Sequence, residues 1–285
     1  MPARSPFAPL VRTGLGLDAV AGLPSVVNRI QSIVVSPMIG SWAGIPGQRA
    51  PSGVLLYGAP NGAKRYLVGA IAQTLDVSLR DLPVQQLTEH QGFAAMMGHV
   101  RRTVGTQPSV VHLSGLDEAL AGDTPVSVQR RIAALLEAAR VDDPTMSQIF
   151  IATSSRPWEI DESLFSLGRL DHLIHVTPPD WTARLARISR GADRYRLSLR
   201  PILEALTRST AGWSGADINR LLDELALLSL STNGVPVAPM IAAAITTCGP
   251  TTPQWFDRSR TLLSLHRERG MFNDLADWYQ LCGMN

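Results

Sequence analysis

The sequence predicts an α/β protein, in which a doubly wound, mostly parallel sheet is followed by a small domain made of helices alone. Two observations carry this prediction. Short apolar and β-branched runs alternate with segments of helical periodicity as far as Pro179. After Pro178, Pro179 and Asp180 the strand-like runs stop, and only helical patterns follow.

The predicted strands are short runs that are separated by helical patterns. They are 54–57, 77–79, 109–113, 149–152 and 173–176. The helices predicted between and before them are 16–35, 64–75, 92–104 and 125–140, the last opening with proline, which suits a first helical turn. Further helices are predicted at 181–190, 197–207, 214–230, 239–247, 253–269 and 272–281.

These patterns divide the chain into four segments. Residues 1–15 are rich in proline and lack periodicity, so they are expected to form a flexible arm. The α/β domain is predicted at 16–179 and the small helical domain at 180–250. A C-terminal helical tail is predicted at 251–285.

Composition and charge exclude several classes of protein. The chain has 285 residues, of which 45% are hydrophobic and 18% charged, so a disordered chain is excluded. Lys and Arg total 26 against 24 Asp and Glu, and the net charge of +2 argues against nucleic acid as a partner. Cys248 and Cys282 cannot build a disulfide framework or a zinc site of paired ligands. With no signal-like or membrane-spanning run, a cytoplasmic protein is expected.

The run after the first predicted strand has the composition of a phosphate-binding loop. It reads Gly58-Ala59-Pro60-Asn61-Gly62-Ala63-Lys64-Arg65 and precedes a predicted helix. Such loops wrap backbone N–H groups around phosphates, and their lysine reaches the terminal ones. The full pattern has glycine in the place of Ala63 and serine or threonine in the place of Arg65. On these residues alone, an ordinary glycine-rich turn explains the run equally well.

Further stretches accompany the loop in a fixed order along the chain. They are 53–58, 108–111, 156–171, 212–217 and 250–255. Together with the loop they resemble the AAA family of P-loop ATPases, the clade of katanin, spastin and valosin-containing protein, over almost the entire chain from Gly16. The resemblance implies a P-loop NTPase sheet with a helical lid, ATP or ADP as ligand, and assembly into rings, most often hexamers.

This sequence departs from the family at the positions that carry hydrolysis. The hydroxyl that normally meets Mg²⁺ is replaced by Arg65, which cannot ligate a cation. By register, the family's Mg²⁺-binding Asp and catalytic Glu fall on Ser114 and Gly115, and its sensor Asn falls on Ser155. Phosphoryl transfer depends on such positioning and electrostatics, so no intact catalytic residue is predicted.

Two carboxylates follow these positions about three residues late. That displacement is expected to carry Asp117 and Glu118 well away from the place of the γ-phosphate. Loss of a general base alone costs a factor of roughly 10² to 10⁴ in rate. The site is therefore expected to be deficient in hydrolysis, and the alternative is that Asp117 or Glu118 turns back to supply the missing carboxylate.

Binding of nucleotide is a separate matter from its hydrolysis. Lys64 and the loop amides remain, and Arg65 brings charge that Mg²⁺ would otherwise supply. Ala63 is acceptable if its backbone is helical and strained if its φ is positive. ATP or ADP therefore stays a candidate ligand, metal-independent binding is favoured, and no metal site is predicted.

One arginine retains the family's contact to a neighbouring subunit. Of the two positions that reach into the neighbour's site, one falls on Ser166 and the other remains as Arg169. The resemblance implies a homo- or hetero-hexameric ring, in which Arg169 serves an active paralogue. Three functions stay open: a pseudo-ATPase ring subunit, a divergent but active remodelling ATPase, and a nucleotide-free scaffold or adaptor. The sequence does not identify a protein client.

Several remaining residues are expected to have structural roles. His112 lies inside a predicted strand and is expected to be a satisfied core histidine. Phe93 is expected in the core, whereas the family's substrate-gripping loop falls near 87–91, which has no aromatic residue. The opening of the helical domain is rich in arginine, which favours a solvated face over a patch for an acidic partner. These arginines are Arg184, Arg187, Arg190, Arg194, Arg196 and Arg200.

Overall fold

Five parallel strands form one sheet in the order β2-β3-β4-β1-β5. They are β1 (Gly53–Tyr57), β2 (Ser78–Pro83), β3 (Ser109–Ser114), β4 (Gln148–Ser154) and β5 (His172–His175). Every predicted strand is present, and the predicted α/β class is confirmed. This computed structural model describes residues 15–47, 49–103, 107–122, 125–139, 148–266 and 271–282. The arm predicted at 1–15 lies outside the described residues except for Leu15.

Helices connect the strands and form the rest of the chain. A π-helical segment, Gln31–Val35, connects the first two helices of the chain without a break. Those of the first part are α1 (Pro24–Ile30), α2 (Ser36–Trp42), α3 (Lys64–Thr74), α4 (His90–Thr103), α5 (Leu116–Leu120) and α6 (Pro125–Ala138). Those after the sheet are α7 (Trp181–Tyr195), α8 (Leu203–Ser209), α9 (Gly215–Leu228), α10 (Ala238–Cys248), α11 (Pro253–His266) and α12 (Asn273–Leu281). Within the described ranges, no helix is long and apolar enough to span a bilayer.

The sheet is buried on both faces, because alternate strand residues point in opposite directions. On one face, which we call the α3 face, Val54, Leu56 and Ile151 pack against α1, α2 and α3. On the other, the α6 face, Leu55, Tyr57 and Phe150 pack against helices from two distant parts of the chain. Those helices are α4, α5, α6, α11 and α12.

The helices α7 to α10 enclose a separate core. It contains Ile188, Leu206, Trp213 and Leu221, all buried. Helix α9 starts with a capping box, in which Ser214 and Asp217 satisfy each other's backbone N–H groups. The helix expected at 197–207 starts later, at Leu203, after a 3₁₀ turn over Arg200–Ile202. Pro201 explains the delay, because a proline disfavours helical torsions in the residue before it.

The helices α11 and α12, which we call the tail, dock on the α6 face through aromatic rings. Trp255, Phe272 and Trp278 make this aromatic contact. Its polar anchor is Asp274, which accepts hydrogen bonds from the Tyr57 hydroxyl (2.5 Å) and the His175 backbone N–H. The tail is thereby fixed to β1 and β5 at the ends where these strands meet the phosphate-binding loop.

Candidate functional site

The loop 58–63 leaves β1 at the carboxyl edge of the sheet, where ligands of open α/β folds bind. Gly58 cannot be replaced there, because a Cβ would lie 2.5 Å from the Val176 carbonyl oxygen. Pro60 and Asn61 form the tip, and Asn61 takes a left-handed φ of 60°, which asparagine tolerates better than most residues. The loop thus has the sharp turn that its sequence predicts.

Ala63 fits the loop without strain. Its backbone has φ −78° and ψ 8°. Because φ is negative, a residue with a Cβ adopts this conformation without strain. At Gly62, by contrast, a Cβ would approach the Ala59 carbonyl oxygen to 3.1 Å. The substitution of alanine for the family's glycine at 63 is therefore compatible with a phosphate-binding loop.

Lys64 opens α3 and turns its ammonium back into the loop. Its Nζ donates to the carbonyl oxygens of Gly58 (2.9 Å) and Ala59 (2.7 Å). The side chain is buried, and this burial lowers the pKa of Lys64 to about 8, although the charge of Asp117 acts in the opposite direction. A bound phosphate would replace the loop carbonyls as the partner of the ammonium.

The residues at the family's Mg²⁺ position do not fit a magnesium ion. Arg65 and Ser114 stand where a hydroxyl and a carboxylate are required. The nearby carboxylate of Asp81, on β2, is already bonded to His112 (Oδ1 to Nδ1, 2.9 Å) and to Ser114. Burial of Asp81 is outweighed by these hydrogen bonds and by the charge of Arg65, which together hold its pKa below the ordinary value. Across the described ranges, no group of three or more His, Cys, Asp or Glu residues is suited to a metal.

The position of the catalytic glutamate has a backbone conformation that is strained for any side chain. Gly115 has a left-handed φ of 69°, and a Cβ on it would lie 2.2 Å from Nε2 of Gln85. The Gln85 carboxamide, from the turn after β2, therefore occupies the space where a base would start. Sequence reasoning missed Gln85, because only the register of β2 beside β3 brings it to Gly115.

The structure corrects the expectation that Asp117 lies far from the site. Gly115 reverses the chain at once into α5, and Asp117 points at the end of β4. Its Oδ1 accepts from the Ser154 hydroxyl (2.6 Å) and its Oδ2 from the Ser155 N–H (2.7 Å). Both oxygens thus hold the sensor segment in place, while Glu118 is exposed on α5.

Arg169 lies on an outer surface and is held within its own chain. Its guanidinium pairs with Glu137 on α6 at 2.6 Å and donates to the Ser163 carbonyl oxygen at 2.9 Å. The residues around it line a surface cavity that also includes Arg130 and Asp161. A neighbouring subunit's phosphate would have to compete with Glu137 for this arginine.

A cavity of about 820 Å³ opens between the phosphate-binding loop and the helices after the sheet. Asn61, Gly62 and Ala63 form part of one wall, and the segment after β5 continues it. The opposite wall belongs to α7 and to the start of α9. The volume of this cavity lies in the range of small-molecule and cofactor sites.

The expected solvated face of arginines is correct for Arg190, Arg194, Arg196 and Arg200, which are exposed, and wrong for Arg184. Arg184 is buried and donates to the carbonyl oxygens of Pro179 (2.9 Å) and Thr207 (3.3 Å). Arg187, Arg190 and Arg194 line the cavity. The sequence contained a signal for this arrangement, because residues spaced three and four apart lie on the same face of a helix.

The expectations for two core residues are confirmed. His112 is buried on β3, with Nδ1 against Asp81 and Nε2 3.1 Å from the Thr153 hydroxyl on β4. Phe93 packs against the core of the α6 face, with the Arg131 guanidinium 5.5 Å from its ring centre. Both residues therefore have structural partners in the sheet or its covering helices.

Comparisons with known proteins agree with this fold. Residues 54–178 match the model of the family described as ATPase family associated with various cellular activities (AAA). The human ATPase family gene 2 protein homolog B is 27% identical over 248 residues, which cover 76% of this chain and 33% of that protein. The ATP-dependent zinc metalloprotease FtsH 1 of Symbiobacterium thermophilum is 29% identical over 247 residues, which cover 82% of this chain and 42% of that one. This chain thus spans less than half the length of either relative.

A solved structure shares the fold. The FIGL-1 AAA domain in complex with ADP superposes with a TM-score of 0.73 at 19% identity, covering 90% of this chain and 92% of that one. Identity this low shows the common fold alone. The family match, the relatives and the shared fold together show that residues 54–178 form a domain of the AAA family.

Proposed function

We propose that this chain is a subunit of a ring-type protein-remodelling assembly, and that its own site binds ATP or ADP without hydrolysing it. The observation that carries the proposal is the state of the catalytic positions. Arg65 and Ser114 replace metal ligands, and Gly115 leaves the place of the base to Gln85. The phosphate-binding loop itself keeps an unstrained backbone and a buried lysine.

Two features favour binding without magnesium. Arg65 places a permanent positive charge beside Lys64, at the start of the helix whose N-terminus favours anions. The carboxylate of Asp81, which lies near Ser114, is already engaged by His112 and Ser114. Charge neutralisation of the phosphates is therefore assigned to guanidinium and ammonium groups.

The alternative of a divergent but active ATPase requires Asp117 or Glu118 as the base. Asp117 is poorly placed for this role, because hydrogen bonds from Ser154 and Ser155 use both of its oxygens. The other alternative, a nucleotide-free scaffold, is supported by the lysine's bonds to its own loop. Nucleotide titrations separate these functions.

We expect ATP and ADP to raise the melting temperature of the purified chain equally in EDTA and in Mg²⁺. A ligand at 100 times its Kd stabilises a protein by about 2.7 kcal/mol, which is readily measured as a thermal shift. Lys64→Ala removes the shift, and no ATP turnover accompanies binding. A shift that requires Mg²⁺, together with Lys64-dependent turnover, would establish the active enzyme instead. No shift with either nucleotide would leave the scaffold.

In the ring, we propose that Arg169 acts on the nucleotide of an active AAA neighbour. A guanidinium supplied in trans contributes roughly 10³ to 10⁵ in rate in other phosphoryl-transfer systems. Mixing this chain with an active AAA partner should change the partner's ATPase rate, and Arg169→Ala should abolish the change. Arg130→Ala removes the same charge from the same surface cavity and should leave it intact. Equal effects of the two variants would reject the role of Arg169.

A further inference from the structure

Three arginines on one face of α7 form a positively charged wall opposite the phosphate-binding loop. Arg187, Arg190 and Arg194 all line the large cavity, and Asn61, Gly62 and Ala63 line its other side. Among the described residues that line it, the single acidic one is Asp223, to which the Tyr195 hydroxyl donates a hydrogen bond. The cavity is therefore positive on the side away from the loop.

The guanidinium of Arg187 is the most deeply set of the three. It packs over Gly215, where a Cβ would lie 3.1 Å from its Cζ, and its Nη1 donates to Asn219 Oδ1 at 3.2 Å. These contacts position it at the first turn of α9, which lines the cavity. Glycine at 215 thus leaves room for the arginine.

Among the ion pairs of the described residues, none includes Arg187, Arg190 or Arg194. Burial, and then the charge of Arg190, lower the pKa of Arg187 below its ordinary value. Two neighbouring like charges beside a cavity are unfavourable until an anion enters between them.

The start of α9 also connects this wall of arginines to the carboxyl edge of the sheet, at the end of β4. Asp217 at its first turn accepts hydrogen bonds from Thr251 N–H (3.2 Å) and Oγ1 (3.0 Å). Four residues later, Trp255 donates to the Ser155 carbonyl oxygen at 2.8 Å. Arg187 is therefore held on the same framework that positions the end of β4.

We infer that Arg187 and Arg190 form an anion subsite that binds the phosphate chain of a metal-free nucleoside triphosphate. The inference rests on the proposed function, since it assigns to the helices after the sheet the charge that magnesium supplies elsewhere. Phosphate held by the loop residues Asn61, Gly62 and Ala63 on one wall and by these guanidinium groups on the other would bridge the cavity. Arg194, farther along α7, extends the positive wall toward the cavity's outer end.

The test is calorimetric titration in EDTA with ATP and with AMP, which differ in the length of the phosphate chain. We expect Arg187→Met and Arg190→Met each to weaken ATP by about tenfold or more, the size of one lost charge-assisted hydrogen bond. The affinity for AMP should fall much less in the same variants. Arg208→Met removes an exposed arginine of α8 outside the cavity and should change neither affinity. Arg187→Lys, which retains the charge, should recover most of the loss and also controls for folding.

The outcomes separate this inference from the proposed function. Unchanged ATP affinity in both methionine variants, with binding still abolished by Lys64→Ala, would reject the subsite and leave the nucleotide site intact. Equal weakening of ATP and AMP would also reject it, because the arginines would then act on the nucleoside or on the fold. Absence of ATP binding in the unmodified chain would overturn the proposed function itself.

Discussion

Replacing Trp255 by alanine should lower the free energy of unfolding by about 3 to 5 kcal/mol, the usual cost of removing a large buried aromatic side chain. The indole is 4% exposed and stacks on the His175 ring at 5.6 Å with an interplanar angle of 4°. Its Nε1 also donates to the Ser155 carbonyl oxygen, so the variant leaves a cavity and an unpaired acceptor. Urea denaturation followed by circular dichroism measures the difference.

Two further variants divide this loss into its parts. Trp255→Phe retains most of the packing and loses the hydrogen bond to Ser155. Its free energy of unfolding should therefore fall by only about 1 kcal/mol, the contribution of that hydrogen bond. Trp181→Ala removes a tryptophan that is 40% exposed on α7 and should change stability by less than about 1 kcal/mol. A Trp255→Ala variant no less stable than Trp181→Ala would show that the tail does not stabilise the sheet.

The second large effect is a loss of stability in acid caused by His175. Its ring lies between Tyr57 (5.4 Å) and Trp255 (5.6 Å), with Trp278 edge-on at 5.5 Å. Burial, and then the charge of Lys64, lower the pKa of His175 to about 3. In the unfolded chain the same group titrates near its ordinary 6.5.

The sign follows from where the proton binds. Between pH 6.5 and 3 the unfolded state takes up a proton at His175 and the folded state does not. The free energy of unfolding is therefore complete above pH 6.5 and falls by about 1.4 kcal/mol for each pH unit below it. Titrating carboxylates add their own slopes, so the measurement is a difference between two proteins.

His175→Phe is the matched comparison, because it retains an aromatic ring in the stack and cannot bind a proton. Its stability should be less dependent on pH below 6.5 than that of the unmodified chain, in urea titrations from pH 7 to 4. Within the described residues neither ring nitrogen of His175 has a hydrogen-bond partner. At pH 7 the variant should therefore be at least as stable, by up to about 1 to 3 kcal/mol. Parallel pH profiles for the two proteins would place the proton elsewhere.

The sheet could be predicted from the sequence because its strands are local, apolar runs. All five lie in the predicted places, and α3 begins at Lys64 as expected. The ends differ by a few residues; β2 extends from the predicted 77–79 to Ser78–Pro83. Polar Asp81 breaks the apolar pattern of that edge strand, and its partner His112 lies 31 residues away in the sequence.

The candidate site could be predicted only in part, since register identifies positions but not what fills them. Counting from the family pattern located Gly115, yet the sequence does not show that Gln85 occupies the space beside it. The same counting placed Asp117 about three residues after the family's carboxylate position, and this offset was expected to carry it far from the site. A left-handed glycine followed directly by a helix makes that displacement a reversal of direction. That Arg187 lines a cavity could not be predicted, because the cavity lies between two distant parts of the chain.

The anchoring of the tail also delays completion of the fold until the end of the chain has been synthesised. The last strand ends at His175, but its covering side chains reach as far along the chain as Tyr279. At translation speeds of about 5 to 20 residues per second, roughly 5 to 20 s separate the emergence of that strand from the emergence of its cover. During this interval the part of the α6 face that α11 and α12 cover is open to water, whereas the part under α4, α5 and α6 is already covered.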